Sequence, residues 1–319
     1  MREWGNSFVA TPLDKSIQLL KASIYKYYPL PEEKIKVLQD ITAKDLDSYI
    51  QSLYSEGFVE GIVLGNLTSE EAGKIAGIAE KSFAKTPYKP PFFQREVLDM
   101  KGNLGPHYLE ETIAAQGNAA LLLIERDVVY SHKTRAIHQI LTQSIQEPFF
   151  SELRTRQQTG YIVQASGEEI DRRLFNFFLA QSTTHSPRDL LARFELFLES
   201  FVQELANKEL TEERFNKIKD ALIYDLKNSV KNISQATELL AHLLYLYGGD
   251  FQWVEKRLKA LEELTYSECL EGIQDTLSKK NLKRFAILLK GKPTDSPLFE
   301  YQPVSSLEDF KRQEDYRTP

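Results

Sequence analysis

With a single cysteine, Cys269, the chain cannot form an intrachain disulfide. Its setting, Tyr266-Ser267-Glu268-Cys269-Leu270, lies in a helical pattern and reads as a packed thiol. One cysteine does not assign a redox compartment, so cytoplasm and bacterial periplasm both fit. Long apolar runs are also missing. Ala119 to Ile124 is far too short to cross a bilayer, and Met1 to Asn6 contains no apolar stretch of the kind a secretory signal needs. No block of like charge stands out among 40 basic and 46 acidic residues, so neither nucleic acid nor a membrane surface is an expected partner.

The motifs of self-contained catalysis are absent too. None of the 5 histidines (His107, His132, His138, His185, His242) forms His-x-x-x-His or an inverted His-x-x-Glu-His. The nearest approach, His107-Tyr108-Leu109-Glu110-Glu111, has glutamate where a second imidazole belongs, and one imidazole with carboxylates favours harder ions than zinc. It reads as a chance pairing near a helix start, led in by Gly102, Gly105 and Pro106. A self-sufficient metalloenzyme built on His107 would carry stoichiometric metal. There is no Gly-x-Ser-x-Gly elbow, and Gly57, Gly61 and Gly65 lack the lysine of a phosphate loop. Glu168 and Glu169 read as a solvated turn.

What is present is an ordinary globular composition, 42% apolar and 27% charged with net charge −6, long enough for one large domain or two modest ones. Residues 1–56 read as helices alone, with a break at Pro29-Leu30-Pro31. A capping-box start at Thr42 to Asp45 opens a helix whose face carries Leu46, Ile50, Leu53 and Tyr54. From Gly57 the pattern changes. Strands are expected at 58–67, 95–101, 118–127, 160–164, 174–181 and 281–290, with a capped helix opening at Thr68. The second half is mainly helical, led by Ser186-Pro187-Arg188-Asp189 and an apolar stripe from Leu190 to Leu205. Further helices are expected at 212–227, 235–247, 253–261 and 266–277, with Tyr247-Gly248-Gly249-Asp250 as a C-cap and turn. The fold class expected is α+β. A mainly antiparallel sheet packs on a helical layer in a two-layer sandwich over 57–292, preceded by a helical remnant of another domain (1–56) and followed by a polar, extended tail (293–319).

One constellation remains. An amphipathic helix runs from Thr134 to Arg156, Gly160 allows a sharp exit, and a strand begins at Tyr161-Ile162-Val163. Arg154 in the last helical turn and Tyr161 at the strand start would then lie close in space. A guanidinium fork and a phenolic O–H could converge on one substrate oxygen. Spacing alone favours the alternative: a surface or helix-end arginine and a sheet tyrosine with purely structural roles.

Leu153-Arg154-Thr155…Gly160-Tyr161-Ile162-Val163 resembles the Leu-Arg-Thr…Gly-Tyr-x-Val segment in the C-terminal half of the insulin-degrading, or pitrilysin, family of zinc peptidases. Gly65-Asn66-Leu67-Thr68, Thr211-Glu212-Glu213-Arg214-Phe215, Lys231-Asn232-Ile233-Ser234, Tyr247 to Phe251 and Leu261 to Thr265 are similar to further segments of that family, in the same order. The match covers most of 57–290, and residues 1–56 resemble the end of the third domain. The resemblance implies two bowl-shaped halves closing on a peptide, with zinc held by His-x-x-Glu-His in an N-terminal half and none in this chain. It implies that Arg154 and Tyr161 face the chamber and hold the substrate, and that this chain alone is inactive. The expected partners are that N-terminal catalytic half and unfolded peptides. Beginning at Met1 within a helical domain implies a fragment or the product of a split gene. The alternative is a non-catalytic, peptidase-like scaffold subunit.

Overall fold

The computed structural model describes residues 11–53, 55–83, 86–87, 89, 95–126, 128–292 and 305–313. At its centre is a mixed sheet of five strands: β1 (His107–Gln116), β2 (Asn118–Glu125), β3 (Ile162–Ile170), β4 (Arg173–Ser182) and β5 (Arg284–Lys292). The spatial order is β1-β5-β2-β4-β3, antiparallel throughout except for the β1–β5 pair. The last strand thus inserts between the first two, and β2, an almost unbroken apolar run, lies buried on both faces.

Alternation along each strand sends one set of side chains to each face. Ala120, Leu122, Ile124, Val163, Ala165, Phe178, Ala180, Ala286 and Leu288 join the larger core with the helices. Those helices are α5 (His132–Phe150), α6 (Pro187–Gln203), α7 (Glu212–Lys227), α9 (Trp253–Glu263) and α10 (Tyr266–Leu277); α8 (Ile233–Tyr247) lies between α7 and α9 in the chain. The opposite set, Ala119, Leu121, Leu123, Phe175, Phe177, Leu179, Ile287 and Leu289, forms a smaller core with Leu19 and Ile24 of α1 (Pro12–Ile24). Among the described residues the sheet therefore carries a helical layer on one face and helix α1 on the other. This is the expected α+β sandwich with a mainly antiparallel sheet.

The predicted caps form as read. After α2 (Pro31–Asp40), Thr42 and Asp45, like Thr68 and Glu71, exchange hydrogen bonds at the starts of α3 (Ala43–Leu53) and α4 (Ser69–Phe83). Ser186 accepts from the Asp189 N–H at the head of α6. Gly248 adopts the left-handed conformation that ends α8.

Other expectations fail for physical reasons. Residues 58–67 form no strand; Glu56–Gly57 pairs only with Thr86–Pro87, and Phe58, Val59, Val63 and Leu64 stay exposed. Alternation supplies a face but not a neighbour, and this segment lies beside no strand of the main sheet among the described residues. Residues 95–101 make one isolated bridge, Val97 to Tyr25, at the end of α1. His107 opens a strand instead of a helix, because 107–116 alternates half-buried and exposed positions along a sheet edge. Within the segment read as an extended tail, Leu307–Gln313 is helical. Tyr54 lies outside the described residues.

Glu168 and Glu169 belong to β3, not to a solvated turn. The Glu169 carboxylate pairs with Arg135 and accepts from the Tyr247 hydroxyl at 2.9 Å. Arg135 and Arg257 both sit over the Trp253 ring, which ties α5, α8, α9 and β3 together. Beside this cluster His138 is 4% exposed, with Nε2 3.0 Å from the Phe175 carbonyl. Burial pulls its pKa down to about 4, against the hydrogen bond, which favours the protonated ring. The unfolded chain therefore takes up a proton that the folded chain refuses, and stability falls as pH drops from about 6.5 towards 4. We expect the loss to reach roughly 3 kcal/mol, and His138→Gln to remove that slope in denaturant titrations between these limits.

Candidate functional site

The junction between α5 and β3 is built to hold a turn off the helical path. Pro148 has no N–H for the Ser144 carbonyl, which instead accepts from Arg214 at 3.1 Å. After Phe150 the backbone widens into a π-helical turn, Ser151–Arg156, closed by Gln157 N–H to Glu152 O at 3.0 Å. Such turns recur at functional sites because they swing side chains away from the regular helical stripe. Here the turn carries Arg154.

Its exit is fixed equally firmly. Gln158 takes a left-handed φ of 52°. Thr159, fully buried, donates to the Leu153 carbonyl through its N–H at 3.0 Å and its hydroxyl at 2.9 Å. A Cβ at Gly160 would collide with the Gln181 carbonyl of β4, so only glycine allows this approach. The need for glycine at 160 is thus close contact, while the unusual backbone angle falls on Gln158. The Gln157 amide bridges Glu152 at 2.7 Å and Arg193 of α6 at 2.8 Å, which anchors the turn from the side.

On this frame the two residues singled out from the sequence meet. The Arg154 guanidinium lies 5.0 Å from the Tyr161 ring centroid and 5.0 Å from that of Phe150. Tyr161 is 81% exposed. Among the described residues no carboxylate pairs with Arg154 and no group accepts from the Tyr161 hydroxyl. Both donors are therefore held by ring contacts and backbone while their N–H and O–H groups stay available. Phe150 is the member that sequence reading missed; the i, i+4 spacing from Phe150 to Arg154 was its only signal.

Cys269 is fully buried and its thiol pushed up to about 12 by burial, which rules it out as a nucleophile at neutral pH. His107 sits exposed on the edge strand. Among the described residues no group of three or more His, Cys, Asp or Glu is placed to hold a metal ion. No described helix is long and apolar enough to cross a membrane.

A family model described as PQQ synthase PqqF-like, C-terminal lobe domain 4, matches residues 140–241, which include Arg154 and Tyr161. The A-factor-processing enzyme of Saccharomyces cerevisiae is 24% identical over 271 residues, covering 84% of this chain and 26% of that protein. A nardilysin-like protein of Arabidopsis thaliana is 31% identical over 189 residues, 57% of this chain and 18% of its own length. Human insulin-degrading enzyme is 24% identical over 238 residues, 73% and 23% respectively. The crystal structure of pitrilysin superposes with a TM-score of 0.76 at 20% identity, covering 95% of this chain and 32% of that one. The chain thus spans about a quarter of the length of the curated relatives it matches.

If Arg154 and Tyr161 are held for a ligand and not for the fold, removing them should hardly disturb folding. We expect Arg154→Ala and Tyr161→Phe each to change unfolding free energy by less than about 1 kcal/mol. Gly160→Ala, forced against the Gln181 carbonyl, should lose more than about 2 kcal/mol. Urea titration of the three variants compares them directly.

Proposed function

We propose that this chain, which has the sequence and fold of the C-terminal half of an insulinase-family peptidase, completes the substrate chamber of a zinc endopeptidase. In this reading an N-terminal half, on the same or a separate polypeptide, supplies the metal and the general base. The residues here do not fit zinc, since no suitable donor group exists among those described. Their part in the reaction is electrostatic and geometric.

The observation that carries this reading is the pair of available donors, Arg154 on the π-helical turn and Tyr161 just before β3, stacked at 5.0 Å. A peptide carbonyl laid against them would accept from the phenolic O–H and from the guanidinium fork. As water adds to the carbonyl carbon, negative charge gathers on that oxygen, and donors already in position stabilise it without reorganising. Stacking on Phe150 and Tyr161 keeps the guanidinium from folding back onto its own helix.

Mixing or fusing the chain with the N-terminal half should restore hydrolysis of an unstructured fluorogenic peptide. The chain alone should show none. In the restored enzyme Tyr161→Phe and Arg154→Ala should each lower kcat by roughly a hundred- to a thousandfold. Unchanged turnover in both variants would remove the assigned role, and failure of wild-type mixtures to hydrolyse any peptide would favour a scaffold.

A further inference from the structure

The two terminal strands of the main sheet differ in cover. At β3 Val163 and Ala165 are buried, whereas every residue of β1 from His107 to Gln116 is at least partly exposed. β1 pairs with β5 alone, in unbroken register from His107↔Phe285 to Thr112↔Lys290, and shifts only beyond that. Among the described residues no backbone group bonds to its outer side. Its sequence contains no proline and no lysine, the residues that most often guard a free edge. Residues 107–112 therefore offer a straight row of unpaired N–H and C=O groups, roughly 20 Å long.

A hollow of about 390 Å³ lies beside the start of this row. Leu109 and Ile113 turn to the smaller core, so Tyr108, Glu110 and Thr112 face the helical layer. Tyr108 pairs with Ala286 of β5, which pairs in turn with Leu122 of β2. The small Ala286 between two large side chains leaves a gap in this cross-strand row, bordered by Leu191 and Glu195 of α6. Tyr108, 58% exposed, is the outer wall, and its ring lies 5.4 Å from the Arg188 guanidinium.

The charged groups around the hollow are already matched. Arg284 pairs with Glu195 and donates to the carbonyls of Asn281, Leu277 and Ser278. Lys279 pairs with Glu199, and Arg188 with Glu110. The Asn281 amide donates to the Glu125 and Thr276 carbonyls. A charged occupant would lose its hydration here without gaining a counter-ion, so the hollow suits an apolar group.

We propose that β1 receives an extended, uncharged peptide segment as an added strand, with one aromatic side chain seated in the hollow. The backbone of the segment partners the N–H and C=O groups of 107–112, and alternation turns every second side chain towards the helical layer. The side chain beside Tyr108 then stands at the mouth of the hollow. The gap at Ala286 lies one strand inward of β1; a flat ring laid along Tyr108 extends that far, and a short aliphatic chain does not. This surface is separate from Arg154 and Tyr161, which stand before the opposite terminal strand, and it needs no catalytic half.

The test uses the purified chain and a capped peptide, acetyl-Thr-Val-Phe-Thr-Val-Thr-amide, with amide hydrogen exchange followed by NMR. In the free chain alternate amides of 107–112 should exchange fast, and saturating peptide should slow them at least tenfold. N-methylation of one alternate set of peptide amides should abolish binding, whereas methylation of the other set should leave it unchanged. Ala286→Leu fills the hollow and should weaken binding at least tenfold, as should replacing the peptide's phenylalanine by alanine. Tyr108→Ala alters only an exposed wall and should weaken binding several-fold, so the hollow is tested even if Ala286→Leu fails to fold. Slow exchange of these β1 amides without peptide would show that a second copy or the chain's own C-terminal residues hold the edge, and overturns the proposal. So does equal affinity for the two N-methylated peptides, or binding that leaves β1 exchange unchanged.

Discussion

The ring of Phe149, fully buried, meets Phe178 of β4 and Phe194 and Phe197 of α6 edge to face, at centroid distances of 5.2–5.3 Å. Through these contacts a single side chain locks the end of α5 to the sheet beneath and to the helix beside it. The backbone one residue later leaves the α-helical path. Because the helix end cannot slide, the widened turn that follows can project Arg154 only one way. Thr159 and Gly160 then deliver the chain to β3, whose first neighbour in sequence is Tyr161. Aromatic packing in the core thus sets the geometry of an exposed polar pair some turns away.

This division of labour explains why the site tolerates so much exposure. Tyr161 gains little by burial, and no carboxylate among the described residues holds Arg154. Their positions come from the backbone, which is held by Pro148, Gln157, Thr159 and the contact at Gly160. Rigid support from below leaves the donors themselves free for a ligand, which is the condition for stabilising charge without reorganisation. Elsewhere the chain puts its charges to structural use: Arg135, Glu169, Tyr247, Trp253 and Arg257 form a buried clasp between helices and sheet.

Much of this was legible in the residues. The stripe from Leu190 to Phe201 and the caps at Ser186, Thr68 and Gly248 are local signals, and local signals survive folding. The helix read from Thr134 and the strands read at 118–127 and 174–181 were equally plain, because their apolar periods match what they bury. Pairing was harder to see. The alternation at 58–67 looked like a strand but has no strand of the main sheet beside it, whereas His107 to Glu111 looked like a helix start and opens an edge strand against β5. The juxtaposition of Arg154 and Tyr161 could be anticipated from a helix–strand junction. The π-helical turn and the stacking on Phe150 could not, because they depend on packing between α5 and α6. Glu169 likewise looked solvated until Arg135 and Tyr247, distant in sequence, closed over it.

The central claim is that Arg154 and Tyr161 are aimed at one oxygen of a peptide. The most direct measurement is a structure of the two halves assembled around an uncleaved peptide. The account predicts the Tyr161 Oη and an Arg154 nitrogen each about 3 Å from the carbonyl oxygen of the bond to be cut. Either donor turned away from that carbonyl, or both hydrogen-bonded instead to protein groups of the other half, would contradict it.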